Sequence, residues 1–316
     1  SSRDKLLVKI KGKTVIERVV ETCSQVFDEI ILSISDESKL EQYGSIIKSY
    51  SQMKIVLDIQ SLAGISPLVG ILSAISEVES NYVAVIAADH PFLNSDFLKL
   101  LIKRAKGFDV VSPILPNGMI DPLLSIYRKT YLATAIKMLI SLNRLKSSNL
   151  TRGGGTIYLM GTDEVASVDP SLKSLINVNT PEDLQGSHYL VCKERHKDSF
   201  VLRRVLPLKL LEDIRDLYCR HSVEAVLNKL ESLEHIFWKS QVLYRIGLET
   251  KNQQLLETSC NLFLKEAKYY KEINLPFLQL QSLIDVLRSA ETSTMCLNED
   301  IVREVKFLRS LFKSHH

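Results

Sequence analysis

The chain lacks any run of the roughly 18 apolar residues that a membrane span requires. No membrane segment and no membrane partner are therefore expected. It also lacks a charge excess, with 40 Lys and Arg against 37 Asp and Glu. That balance is too even for a nucleic-acid-binding surface, so any phosphate binding should be local. Cysteine is sparse and scattered at Cys23, Cys192, Cys219, Cys260 and Cys296. With no CxxC pair and no secretory signal, neither a disulfide framework nor a zinc site is indicated, and the cytoplasm is the expected compartment. Glycine clusters only at Arg152-Gly153-Gly154-Gly155-Thr156. No Gly-Lys-Ser/Thr follows, which excludes a P-loop and leaves either an ordinary surface loop or a flexible loop over a ligand. The opening Ser1-Ser2-Arg3-Asp4-Lys5 offers neither an initiator Met nor a leading strand, and the expectation is that a segment lies upstream.

What is present divides in two, as a length of 316 residues suggests at about 100–200 residues per domain. Up to about Leu184, short β-like runs (Glu29 to Ser35, Lys54 to Leu57, Tyr82 to Ala87, Asp109 to Ser112) alternate with helical patterns. Those patterns cover Thr14 to Cys23, Leu68 to Glu77 and Ser95 to Lys106. This rhythm predicts βαβ units and a mostly parallel, Rossmann-like α/β sheet with flanking helices. Residues 189–205, with the charged patch Lys193 to Asp198, read as a linker. From Leu206 to the end β-branched runs vanish and Leu, Glu, Lys and Gln dominate, which predicts an all-helical domain of about five or six helices.

The segment Tyr82-Val83-Ala84-Val85-Ile86-Ala87-Ala88-Asp89-His90-Pro91 carries the most chemistry. An apolar run too short for most helices ends in a carboxylate, as a buried parallel strand does at its carboxyl edge. Ligands bind at that edge in open α/β sheets, so Asp89 is placed to hold Mg²⁺ against phosphate oxygens, or, more plainly, to cap a loop or helix. Gly64-Ile65-Ser66-Pro67-Leu68-Val69-Gly70 permits close backbone approach to a base or ribose, while Pro67 opens the next helix.

These stretches, in this order, resemble the molybdenum cofactor guanylyltransferases over residues 1–186. Asp89-His90-Pro91-Phe92 resembles the family's Asp-x-Pro-Phe. Asp58 with Gly64 to Ile71 resembles its Asp and Gly-Pro-Leu-x-Gly-Ile, and Asp121-Pro122-Leu123 to Tyr127 its x-Pro-Leu-x-Ala-Leu-Tyr. Asn177-Val178-Asn179-Thr180-Pro181-Glu182-Asp183-Leu184 resembles its Asn-Ile-Asn-Thr-Pro-Glu-Asp-Leu, and Asp4-Lys5-Leu6 with Gly12-Lys13 its Asp-Lys-x-Leu segment. The resemblance implies a nucleotide-diphospho-sugar-transferase-like fold over residues 1–188 and transfer of GMP from GTP to molybdopterin with release of pyrophosphate. It implies Asp89 as the Mg²⁺ ligand, and Lys5, Asp89 and Asn179 as the catalytic set. Arg3, Lys5, Asp58, Gly64, Pro67, Leu68 and Gly70 would meet the nucleotide, and Asp121 and Asn177 the pterin substrate.

Three departures stand out. The strand and glycine-rich loop that the family carries ahead of Asp4 are missing, Ser66 stands where Gly is usual, and Asp121 where Gln or a similar residue is common. They keep open a related cytidylyl- or cobinamide-phosphate guanylyltransferase, or a degenerate nucleotide-binding scaffold. The helical half is expected to contact a molybdoenzyme or another cofactor-biosynthesis protein, or to mediate self-association, and its removal to leave nucleotide transfer measurable.

Overall fold

The structure is a computed structural model that describes residues 4–60, 64–178, 196–293 and 299–312. After a single 3-10 turn at Lys5–Leu7, a short hairpin of β1 (Lys9–Ile10) and β2 (Lys13–Thr14) leads into α1 (Val15–Ser24). Thr14 and Glu17 close a capping box at its start, each satisfying a backbone N–H of the other's segment. There follow β3 (Ile30–Ile34), α2 (Ser38–Lys48), β4 (Met53–Leu57), α3 (Pro67–Ile75), β5 (Tyr82–Ile86), α4 (Ser95–Ala105) and β6 (Val110–Pro113). Next come β7 (Leu124–Arg128), α5 (Lys129–Ser141), α6 (Ser148–Arg152), β8 (Thr156–Met160), α7 (Thr162–Ala166) and β9 (Phe200–Arg203). Six helices follow among the described residues: α8 (Leu208–Cys219), α9 (Val223–Glu231), α10 (Ile236–Thr250), α11 (Gln253–Glu272), α12 (Pro276–Glu291) and α13 (Glu299–Phe312).

The architecture is a mixed α/β region followed by helices. β3 and β4 pair in parallel, and a five-stranded sheet runs β5-β7-β6-β8-β9. Its β6–β8 pair is parallel, whereas β7 and β9 run antiparallel to their neighbours. Among the described residues β3 pairs only with β4 and β5 only with β7, so each has one edge without a strand partner.

Alternate strand residues separate the two faces of the five-stranded sheet. Val111, Leu124, Ile126, Tyr158 and Met160 pack with Val19 and Cys23 of α1 and with Phe97, Leu98 and Leu101 of α4. On the other face Val110, Tyr127, Ile157 and Leu159 pack with Leu68 of α3 and with Tyr131, Leu132 and Ile136 of α5. Helix α1 also joins the β3–β4 unit to the rest, because Ile16 and Val20 lie in a core with Ile34, Tyr43 and Met53.

The stretch expected to be a linker is partly sheet. Phe200 to Arg203 pair with Leu159 to Thr156, because Leu202 finds a buried place in the core, Phe200 on the same face packs against it, and Val201 and Arg203 are left outward. Residues 189–195 of that stretch lie outside the described residues. The helical half does not stand apart either, since Leu211, Ile214, Val226, Phe237, Trp238, Val242, Tyr270 and Leu278 belong to the same buried core as α3, α5 and the sheet.

The glycine cluster shows how close this joining is. The residues Arg152, Gly153 and Gly154 are buried, which overturns both loop readings. The Trp238 indole donates to the Gly153 carbonyl at 2.8 Å, and Arg204 donates to the carbonyls of Arg152 and Gly154 at 2.8 and 2.9 Å. The His235 Nε2–H donates to the Gly154 carbonyl at 3.2 Å. Burial, reinforced by the Arg204 charge, pushes His235 down to about 3 and keeps it neutral. Arg152 itself, 1% exposed, pairs with Glu266 at 2.5 Å and Asp285 at 2.7 Å, and Asp285 also takes a close bond from Arg144. Burial alone would raise the Asp285 pKa, but the two guanidinium groups outweigh it and hold the carboxyl below its ordinary value.

Candidate functional site

Asp89 stands three residues past the end of β5, on the turn that leads to α4. Its side chain remains 17% exposed, open to a ligand, and its Oδ2 accepts from the Lys5 ammonium at 2.8 Å across 84 residues of sequence. The Asp4 carboxylate anchors that segment by accepting from the Leu6 backbone N–H at 3.0 Å and from the Tyr43 hydroxyl at 2.6 Å.

His90 is 1% exposed and lies between two carboxylates, with Nε2 3.4 Å from Asp121 Oδ2 and 4.0 Å from Asp89 Oδ1. Asp121 is fixed from behind, where its Oδ1 accepts from the Leu123 N–H at 2.8 Å and its carbonyl from the Ser125 hydroxyl at 2.6 Å. The backbone of Asp89 is tied as well, its carbonyl accepting from the Val178 N–H at 2.8 Å, which brings exposed Asn177 alongside. Lys5, Asp89, Asp121 and Asn177 are thus drawn into one patch at the carboxyl end of β5.

The other assigned residues gather at the end of β4. Asp58 is buried and takes a close hydrogen bond from the Ser33 hydroxyl of β3. A Cβ on Gly70 would come within 3.1 Å of that hydroxyl and 3.2 Å of Asp58 Oδ1, so the missing side chain is what lets α3 close on this carboxylate. Gly64 has φ +74°, a left-handed conformation that favours glycine. Ser66 caps α3 by accepting from the Leu68 N–H, and its hydroxyl donates to the Leu145 carbonyl at 2.6 Å. Pro67 occupies the first turn, and the Leu68 side chain is wholly buried, so only its backbone is left to meet a ligand. Arg3 and Asn179 lie outside the described residues, as does the segment 180–186.

His90 and Ser33 are the residues of the site to which the sequence reading gave no role. The adjacency of His90 to Asp89 gave a signal for the first. Nothing in the sequence marks the second, because its link to Asp58 crosses from one strand to its neighbour.

Among the described residues no group of three His, Cys, Asp or Glu could hold a metal ion. Mg²⁺ does not need one, since it keeps several waters and is held by one or two carboxylates together with substrate phosphates. An accessible Asp89 carboxylate with Asp121 across His90 fits that sparse donor set. No helix among the described residues is long and apolar enough to cross a membrane.

A mixed α/β sheet with a cation–carboxylate pair at a strand's carboxyl end is suited to holding a phosphorylated ligand, and the family comparisons give the class. Residues 1–150 match the family model of the MobA-like NTP transferase domain. A probable molybdenum cofactor guanylyltransferase of Methanosarcina mazei is 32% identical over 185 residues, covering 58% of this chain and 81% of that protein. Another from Natranaerobius thermophilus is 29% identical, covering 59% of this chain and 88% of that one. The crystal structure of the molybdopterin-guanine dinucleotide biosynthesis protein A of Archaeoglobus fulgidus superposes with a TM-score of 0.49 at 25% identity, over 58% of this chain and 89% of that one. The chain belongs to the family of MobA-like nucleotidyltransferases that includes the molybdenum cofactor guanylyltransferases.

Proposed function

We propose that the chain transfers GMP from GTP to molybdopterin. A terminal phosphate oxygen of the acceptor attacks the α-phosphorus of GTP, the new P–O bond forms a phosphoanhydride, and the bond to the β-phosphate breaks to release pyrophosphate. The observation that carries this reading is the Lys5–Asp89 pair at the end of β5, joined to Asp121 through His90 and to Asn177 through the Val178 bond. Such a reaction asks the protein for positioning and charge neutralisation more than for covalent work.

Asp89 would hold Mg²⁺, which when bound supplies positive charge to the phosphate oxygens. Lys5 exchanges its carboxylate partner for those oxygens when the nucleotide arrives. Asp58 and the segment Gly64 to Gly70 face the guanosine, Asp121 and Asn177 the pterin phosphate, and Arg3 and Asn179 complete the set by resemblance. A cytoplasmic location accompanies this reading.

Isothermal titration with GTP, CTP and ATP in the presence of Mg²⁺, on the parent and on Asp89→Ala, tests it. GTP should be preferred, and in an assay of pyrophosphate release with molybdopterin present the variant should lose about 10²- to 10³-fold in transfer rate. Equal binding and turnover by Asp89→Ala would remove the metal assignment. Failure of the parent to bind any nucleotide would instead leave a degenerate domain.

A further inference from the structure

The connection between α5 and α6 meets α10 and α12 around a cavity of about 520 Å³, well within the range of about 300–1,000 Å³ that small-molecule sites occupy. Four of its lining residues are cationic: Arg144 and Lys146 come from the nucleotidyltransferase half, Arg245 and Arg288 from the helical half. Asn149 and Tyr244, both buried, add polar atoms to the wall, and no carboxylate among the described residues lines it.

Neutralisation from behind the wall is incomplete. Arg144 and Arg288 share Asp285, which Arg152 also engages, while Arg245 pairs with Glu249 at 2.7 Å. Lys146 is exposed and has no ion pair among the described residues. Arg144, 9% exposed, leaves its Nε–H without a hydrogen-bond acceptor. That atom is sealed from solvent, so the groups that an oxyanion in the cavity would meet are the more open Lys146, Arg245 and Arg288. Guanidinium forks match phosphate oxygens in geometry as well as in charge.

We propose that this cavity is a second ligand site, built jointly by the two halves of the chain, for the phosphate group of a small phosphorylated molecule. Ile65, 55% exposed, stands on its lip, and the neighbouring Ser66 hydroxyl is bonded to the Leu145 carbonyl. An occupant therefore bears on the Gly64 to Gly70 segment, and the helical half gains a role beyond packing. The inference does not rest on guanylyl transfer.

Titration of the full-length chain with inorganic pyrophosphate should give two binding events. One belongs to the Lys5–Asp89 patch and disappears in Lys5→Ala. The other belongs to the cavity and should weaken about tenfold or more in Lys146→Glu/Arg245→Glu, roughly 1.4 kcal/mol for each factor of ten. Both positions are solvent-accessible, and unchanged circular dichroism checks that the fold is kept. Should the double variant not fold, Lys146→Glu alone must show a several-fold loss of the same event. A single, Lys5-dependent event in the parent would overturn the proposal, and so would two events that survive the charge reversals. Loss of GTP preference would count against the transferase reading and leave this one standing.

Discussion

Replacing Arg152 by Met should cost more than any other single change between the two halves of the chain. The guanidinium is almost wholly buried, pairs with Glu266 and Asp285, accompanies the Ser282 hydroxyl at 3.2 Å, and lies 4.9 Å over the Phe237 ring. Met restores much of the volume but none of the charge, so two carboxylates stay buried with one cation fewer. Asp285 keeps Arg144, Arg288 at 3.4 Å and Gln241, the last donating at 3.1 Å, whereas among the described residues Glu266 keeps only the Ser282 hydroxyl at 3.1 Å.

Breaking a buried ion pair by removing one partner costs about 3–5 kcal/mol, a shift of roughly 150- to 5,000-fold in the folding equilibrium. Against a total stability of about 5–15 kcal/mol that loss is large. Urea unfolding followed by tryptophan fluorescence reads it directly, because Trp238 is the sole Trp and bonds to the carbonyl next to Arg152. The dependence on pH has a definite sign. In the parent, the lowered Asp285 pKa contributes stability that is present above the ordinary carboxylate value and lost as pH falls through the depressed one. In the variant Asp285 has one guanidinium fewer to offset its burial, so its neutral form is favoured and the deficit should narrow between about pH 7 and about pH 4. A variant within about 1 kcal/mol of the parent at neutral pH would refute the view that this network is a satisfied, buried unit.

The remaining expectations follow from the same junction. A chain ended near Gly186 loses β9 and uncovers the core face of α5, and Arg152 is left without either carboxylate, so it should neither fold cooperatively nor retain transfer activity. This reverses the expectation that the extension can be removed, and a well-folded, active truncation by calorimetry and assay would restore it. Gly153→Ala places a Cβ 2.6 Å from the Trp238 ring and 3.0 Å from the Tyr131 hydroxyl. It should destabilise by about 1–3 kcal/mol, visible as a lower melting temperature, while leaving nucleotide binding at the distant Lys5–Asp89 patch unchanged below the transition.

What was legible in the sequence was local. Strands β3 to β6 and helices α1, α3 and α4 fall within a residue or two of where apolar periodicity put them, because each shows its pattern within a dozen residues. Asp89 was legible for the same reason, as a carboxylate at the end of an apolar run. The turn between α9 and α10 was not, since Glu231 to His235 holds no Gly or Pro to mark a break and both Leu233 and His235 are buried.

Nor was β9, whose identity as a strand depends on a partner more than 40 residues earlier in the chain. The linker reading failed where a charged, irregular stretch ends on Leu202, a residue that a linker has no use for and a core does. Arg152 beside three glycines carries the sharpest lesson. In sequence it has the composition of a solvated loop, and only two carboxylates 114 and 133 residues away convert it into a buried fixture. Buried charge is compensated by whatever the fold brings near it, so its sites are invisible to composition and periodicity. The helical half that supplies those carboxylates also supplies Arg245 and Arg288 to the cationic cavity. The two features that joined the halves were therefore the ones that reading each half alone had to miss.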